Sequence, residues 1–243
     1  MKLYVVGLGP GGADQITPRA MAALEESDVL AGYTVYVDLV RPLFPDKEVL
    51  TTPMKKETDR CRMALEKALE GHTVAMVCSG DAGVYGMAGL VYQLAANYPP
   101  VDIEVVSGIS ACCSGAAVLG APLIHDFAVI SLSDLLTPWE KIEQRLDHAA
   151  AADFAICLYN PSSKKRSDYL QKACDIVLRH QSPDTVCGWV KNIGRPGEES
   201  RVMTLAELRE EQVDMFTTVF IGNSQTVRMG DKMVTPRGYR VSE

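Results

Sequence analysis

Five consecutive apolar residues, Val74–Cys78, end directly in the turn Ser79-Gly80-Asp81-Ala82-Gly83, and this stretch constrains the chain more than any other. The apolar run reads as a buried strand. A strand whose carboxyl end opens into glycines is where an open α/β sheet places a ligand. Gly80 and Gly83 let a ligand approach the backbone, Asp81 offers a carboxylate, and Val84 and Tyr85 are expected to begin an apolar wall and the next helix. The same residues would serve equally well as a plain strand-to-helix turn, and the rest of the chain has to decide.

At 243 residues the chain suits one large α/β domain or two smaller ones, and 47% hydrophobic residues are ample for a core without disulfide staples. A net charge of −7 and a pI near 5.2 argue against a nucleic-acid partner. No apolar stretch approaches the roughly 18–20 residues of a membrane span, and the Met-Lys start leads through a short apolar run into glycines. The expected location is therefore cytoplasmic, with no membrane partner. The seven cysteines are scattered without a C-x-x-C pair and most fall at apolar positions, so they read better as small core residues than as a metal site.

In chain order, Lys2–Val6 is a strand that ends in Gly7-Leu8-Gly9-Pro10-Gly11-Gly12. As text this matches the dinucleotide fingerprint G-x-G-x-x-G. The mechanism requires a helix to start at the glycines, whereas the start signal here is Thr17-Pro18, an N-cap followed by proline. Pro10 also removes an amide, so a pyrophosphate cradle is not expected. A helix over 17–26 follows, then a strand from Asp28 that reaches Tyr33-Thr34-Val35-Tyr36. A helix over 58–70 is expected to stop at Gly71. Ile103–Val106 is a buried strand ending in Ser107-Gly108-Ile109-Ser110-Ala111. Taken with the Ser79 loop, it suggests neighbouring strands that open into a polar crevice.

A small-residue helix over 112–119 is broken by Gly120-Ala121-Pro122, which places the domain boundary between 1–120 and 121–243. In the second half, His125–Asp134 contains a strand, and Thr137-Pro138 repeats the N-cap and proline signal ahead of a helix from Trp139. The strand Phe154–Leu158 opens into Tyr159-Asn160-Pro161-Ser162-Ser163-Lys164-Lys165-Arg166. Its three adjacent cations suit either an anionic ligand or a solvated surface. A helix over 167–180 and the strand Thr185–Val190 follow, with the loop Lys191-Asn192-Ile193-Gly194-Arg195-Pro196-Gly197. The chain then has an extended segment over 199–203, a capping box at Thr204–Glu207, a last strand Thr217–Ile221 and a tail without clear periodicity.

VGLGPGG, CSGDAGVYG and VSGISA together resemble the tetrapyrrole methylase family. The segments HDFAVISLSDLLTPWE, LYNPSSKKR and NIGRPGE are similar to its precorrin-3B and cobalt-factor III C-17 methyltransferase branch. The resemblance covers essentially the whole chain, with Ala82 standing where many relatives carry proline. It implies two α/β domains with a ligand cleft between them, distinct from a Rossmann methyltransferase. It also implies S-adenosylmethionine as methyl donor, S-adenosylhomocysteine as product, a precorrin or cobalt-precorrin substrate, and a homodimer.

By this resemblance the donor meets Pro10, Ser79, Gly80, Asp81, Val84, Ser110, Ala111, Tyr159, Asn160, Lys191 and Asn192. Lys164, Lys165, Arg166 and Arg195 are then candidates to grip substrate carboxylates. His125 and Asp126 are the candidates for proton removal during the associated ring contraction. The alternatives are a family member that acts on another ring position and a non-catalytic module binding the donor or a tetrapyrrole. Basic loop and His-Asp pair together favour the enzyme.

Overall fold

The computed structural model describes residues 1–163 and 165–239, which divide into two compact units, Met1–Ala111 and Cys112–Glu243. The first unit alternates strands and helices: β1 (Lys2–Gly7), α1 (Pro18–Glu26), β2 (Val29–Tyr33), α2 (Thr34–Val40), β3 (Glu48–Thr52), α3 (Glu57–Leu69), β4 (Thr73–Cys78), α4 (Ala88–Ala95) and β5 (Asp102–Val106). All five strands are parallel, in the order β3-β2-β4-β1-β5. Side chains alternate across β1, so Leu3 and Val5 join a core with α3 and α4, while Tyr4 and Val6 join one with α1 and α2. Thr17 caps α1 by accepting from the Ala20 amide at 3.1 Å, and Gly71 ends α3 with a φ of 104°, both as the sequence predicts.

Two expectations change in this unit. The segment expected to continue β2 through Tyr36 turns at Tyr33 into α2, because Val37 and Val40 at helical spacing are buried and their packing overrides a β-branched pattern. Helix α4 begins at Ala88 and not at Val84, since residues 81–87 are held in a turn with Tyr85 at a φ of 53°.

The second unit holds α5 (Ala111–Leu119), β6 (Gly120–Ala121), β7 (Phe127–Ser131), α6 (Trp139–Ala151), β8 (Ala155–Tyr159), α7 (Tyr169–Val177), β9 (Val186–Lys191), β10 (Glu199–Thr204), α8 (Leu205–Arg209), β11 (Thr217–Ile221), β12 (Val227–Met229) and β13 (Lys232–Val234). Its main sheet has the order β10-β9-β11-β8-β7. Strands β7 and β8 are parallel, β11 is antiparallel to both β8 and β9, and β10 is antiparallel to β9. Strands β7, β8 and β9 therefore run the same way, and their carboxyl ends share one sheet edge.

The sequence boundary at 120 follows α5, whereas the units divide at its start. A Cβ on Gly115 would stand 2.9 Å from Phe220 and 3.0 Å from Ile193, and Leu119 packs over Gly188. The helix belongs with the sheet it touches, and the Gly-Ala-Pro punctuation marks only its end. Pro138 is the N-cap of α6, not its first helical residue, and its carbonyl accepts from Lys141 and Ile142. The tail forms the β12-β13 hairpin, in which β13 pairs with β6. The capping box of α8 is present in full. Six cysteines are buried, as expected of core residues, whereas Cys113 is exposed.

Candidate functional site

The glycine-rich loops of the first unit follow β4, β1 and β5, adjacent in the sheet in that order. The Ser79 and Ser107 loops are thus not on neighbouring strands. The glycine loop after β1 lies between them and completes the group. The backbones meet directly: Gly9 and Gly80 exchange amide-to-carbonyl bonds of 3.0 and 2.8 Å. A Cβ on Gly108 would stand 2.3 Å from the Gly80 carbonyl oxygen, and one on Gly7 would stand 2.6 Å from the Gly108 nitrogen. Only glycine permits this approach at 7 and 108. Gly80 also needs its φ of 67°.

Asp81 fastens the group. Its Oδ1 accepts from the amides of Gly83 at 2.7 Å and Val84 at 3.1 Å, and its Oδ2 accepts from the Gly108 amide at 3.0 Å. One carboxylate therefore ties the loop after β4 to the loop after β5. Val84 is 40% exposed although its amide is bound, so its side chain faces outward from a fixed backbone. Pro10 is buried, and Ser79, Ser110 and Ala111 are half-buried along the same loops. Helix α1 starts at Pro18, beyond the last glycine as expected, and only a one-turn 3-10 helix, Ala13–Gln15, follows Gly12 directly.

In the second unit, Tyr159 and Asn160 sit at the carboxyl end of β8, and Lys191 and Asn192 at that of β9. The Tyr159 hydroxyl accepts from the Cys112 amide at 2.8 Å. Asn160, at a φ of 53°, donates its amide to Ser131 Oγ at 2.9 Å. Lys191 pairs with Asp214 at 2.9 Å, which raises the lysine pKa, and Asn192 donates to the Gly197 carbonyl at 3.3 Å. These contacts fix the loops.

Of the expected carboxylate-gripping cations, Arg166 is turned into its own unit. It donates to Ser163 Oγ at 3.2 Å and to Ser133 Oγ at 2.8 Å, and it pairs with Asp134 at 3.2 Å. Its guanidinium holds the loop after β7. Lys165 is exposed, and Arg195 is half-buried with its amide donating to the Asn192 carbonyl. Lys164 lies outside the described residues.

His125 and Asp126 precede β7, and the Asp126 carbonyl accepts from Ala155 at the start of β8. Asn160 bonds Ser131 at the far end of β7. At about 3.3 Å per residue, Asp126 and Ser131 are roughly 17 Å apart along the strand. The pair expected near the ligand loops thus lies at the opposite edge of its sheet. Sequence reasoning missed Asp134 and Asp214, because a loop carboxylate reads as a solvated charge. Its cation partners are distant in sequence and give no local signal.

The sequence profile of the Tetrapyrrole (Corrin/Porphyrin) Methylases matches residues 2–209. A Priestia megaterium protein named cobalt-factor III methyltransferase is 46% identical over 98% of this chain, which spans 45% of that longer protein. The probable cobalt-factor III C(17)-methyltransferase of Salmonella typhimurium is 45% identical over 98% of this chain and 99% of its own length. Among solved structures, the methyltransferase CobJ matches with a TM-score of 0.90 at 38% identity, covering 96% of this chain and 99% of CobJ. A profile that matches residues 2–209, with relatives 45–46% identical over 98% of this chain, shows that the chain belongs to the tetrapyrrole (corrin/porphyrin) methylase family.

Proposed function

We propose that this chain is an S-adenosylmethionine-dependent C-methyltransferase that acts at C-17 of a precorrin-3B or cobalt-factor III type tetrapyrrole in cobalamin biosynthesis. The observation that carries this reading is the end-to-end match to the Salmonella protein of that name, at 45% identity over 99% of its length. In this reading the enzyme works in the cytosol as a homodimer. Among the described residues no helix is long and apolar enough to cross a membrane.

The loops of the first unit fit the methyl donor. A Cβ on Gly80 would lie at van der Waals distance, 3.6–3.8 Å, from the backbone of Ile109, Ser110 and Ala111, so these backbones form a shelf beside the glycine. The segments 7–12, 79–86 and 107–111 contain no lysine or arginine, so they carry no cation to repel a sulfonium. Pro10, Ser79, Gly80, Val84, Ser110 and Ala111 would hold the donor, with Asp81 keeping their backbones in place. Tyr159, Asn160, Lys191 and Asn192 would shape the loops of the second unit. Lys165 and Arg195 would meet substrate carboxylates.

Bound S-adenosylmethionine supplies a methyl group on a cationic sulfur. As that charge disperses in an in-line transfer, stiff neutral dipoles serve better than mobile water, and the Asp81 bonds and the Gly9–Gly80 pair provide stiffness. No protein nucleophile is needed, because a ring carbon of the substrate attacks. His125 and Asp126 receive no proton-transfer role in this proposal.

The test is transfer of tritiated methyl from S-adenosylmethionine to cobalt-factor III, with the product mass and ring contraction followed together. Label in the tetrapyrrole is the expected result. Donor binding without transfer to either cobalt-factor III or precorrin-3B would overturn the proposal.

A further inference from the structure

Four large apolar side chains stand in water along the carboxyl edge of β7, β8 and β9. Leu135 is 65% exposed and Leu136 98% exposed in the loop after β7, while Met215 is 43% and Phe216 50% exposed just before β11. The start of β11 lies at this edge because Thr217 pairs with Lys191. In the sheet, β8 lies between β11 and β7. The two apolar pairs are therefore carried by the loops of strands on either side of β8, whose own loop starts at Asn160.

Each pair is presented by a loop built on a clamped acid. Asp134 accepts from the Tyr169 hydroxyl at 2.6 Å and pairs with Arg166 at 3.2 Å, while Ser133 accepts from Arg166 and donates its amide to Ser131 Oγ at 3.2 Å. Asp214 pairs with Lys191 at 2.9 Å and accepts from the Phe216 amide at 2.9 Å and the Thr217 hydroxyl at 3.1 Å. The Phe216 carbonyl accepts from the Asn192 amide at 3.2 Å. Charged contacts of this kind are a strong way to hold a loop, and here they hold apolar side chains outward. Fixed, exposed apolar groups on one edge mark a contact surface and not ordinary surface scatter.

We infer that Leu135, Leu136, Met215 and Phe216 form the platform that receives the apolar face of the tetrapyrrole macrocycle. The inference rests on the methyltransferase reading above and names its substrate contacts. A flat apolar ring with carboxylates on its rim matches two separated apolar pairs with an exposed cation, Lys165, in the loop between them. The clamped acids are positioning residues, since they act through the loops they hold.

The test compares wild type with the double variants Leu135→Ser/Leu136→Ser and Met215→Ser/Phe216→Ser. Binding of cobalt-factor III is read by quenching of tryptophan fluorescence, S-adenosylhomocysteine affinity by calorimetry, and association state by sedimentation. Loss of such apolar contacts is expected to weaken tetrapyrrole binding at least tenfold for each pair. S-adenosylhomocysteine affinity and thermal midpoint should stay at wild-type values. Unchanged tetrapyrrole affinity overturns the platform, and dissociation of an oligomer with unchanged affinity overturns it in favour of an interface between copies. If wild type transfers no methyl, the C-17 reading falls, while the quenching titration still decides the platform.

Discussion

Asp81 shows how one carboxylate can fix the backbones of two loops at once. Its two oxygens satisfy three amides from two loops, and in the proposed function the backbone it holds meets the methyl donor. Alanine at 81 removes all three acceptors. A half-exposed site of this kind is expected to cost about 2 kcal/mol, or about 4–8 °C in thermal midpoint for a chain of this size. The same change should weaken S-adenosylhomocysteine at least tenfold by calorimetry, because the shelf at Gly80 loses its anchor. A variant that melts lower yet binds at wild-type affinity would separate Asp81 from the ligand. The glycine-rich text and an acid at its centre were visible in the sequence. That the acid is spent on Gly108, 27 residues away, is a fact of packing.

Among the elements, the turn between α6 and β8 carries a second acid with a structural task. Asp153, at a φ of 59°, accepts from the Ser224 amide at 2.8 Å, the Ser224 hydroxyl at 2.6 Å and the Gln181 side chain at 2.9 Å. Burial pushes its carboxyl up, but the bonds from Ser224 and Gln181 outweigh it and hold the pKa below its ordinary 3.8. A lowered folded-state pKa stabilises above the unfolded value, and that contribution is lost as pH falls through the folded value. Asp153→Asn should therefore lower the urea midpoint near neutral pH, and its gap from wild type should narrow as the pH falls below the ordinary carboxylate value and through the lowered folded one. A gap that stays constant over this range would show that the charge does not matter. The element pattern itself was largely legible: the caps at Thr17 and Thr204, the stop at Gly71 and the buried runs of β1, β4 and β8 are local features. Helix α2 was hidden because TVYVDLV has strand propensity, and only the burial of Val37 and Val40 makes it a helix.

Across the whole molecule each unit has its own core. Leu146 is fully buried in the cluster between α6, α7, α8 and the second sheet. Leu146→Ala should cost about 2–5 kcal/mol. Hydrogen exchange should show the loss of protection within residues 112–239, with amides of 1–111 keeping theirs. Equal losses in both would show that the cores melt as one.

The sequence by itself determined the α/β class, the glycine loops at strand ends, the start of α1 at Pro18 beyond the first glycines and the family, because buried runs, caps and glycines act over a few neighbouring residues. The tertiary structure alone decided that the glycine loop after β1 lies between the other two, and that α5 packs with the second unit. It also decided that Arg166 and Asp134 clamp a loop and that His125 and Asp126 stand at the far edge of β7. These depend on strand order, direction and side-chain pairing between distant segments, and no local pattern of residues encodes them.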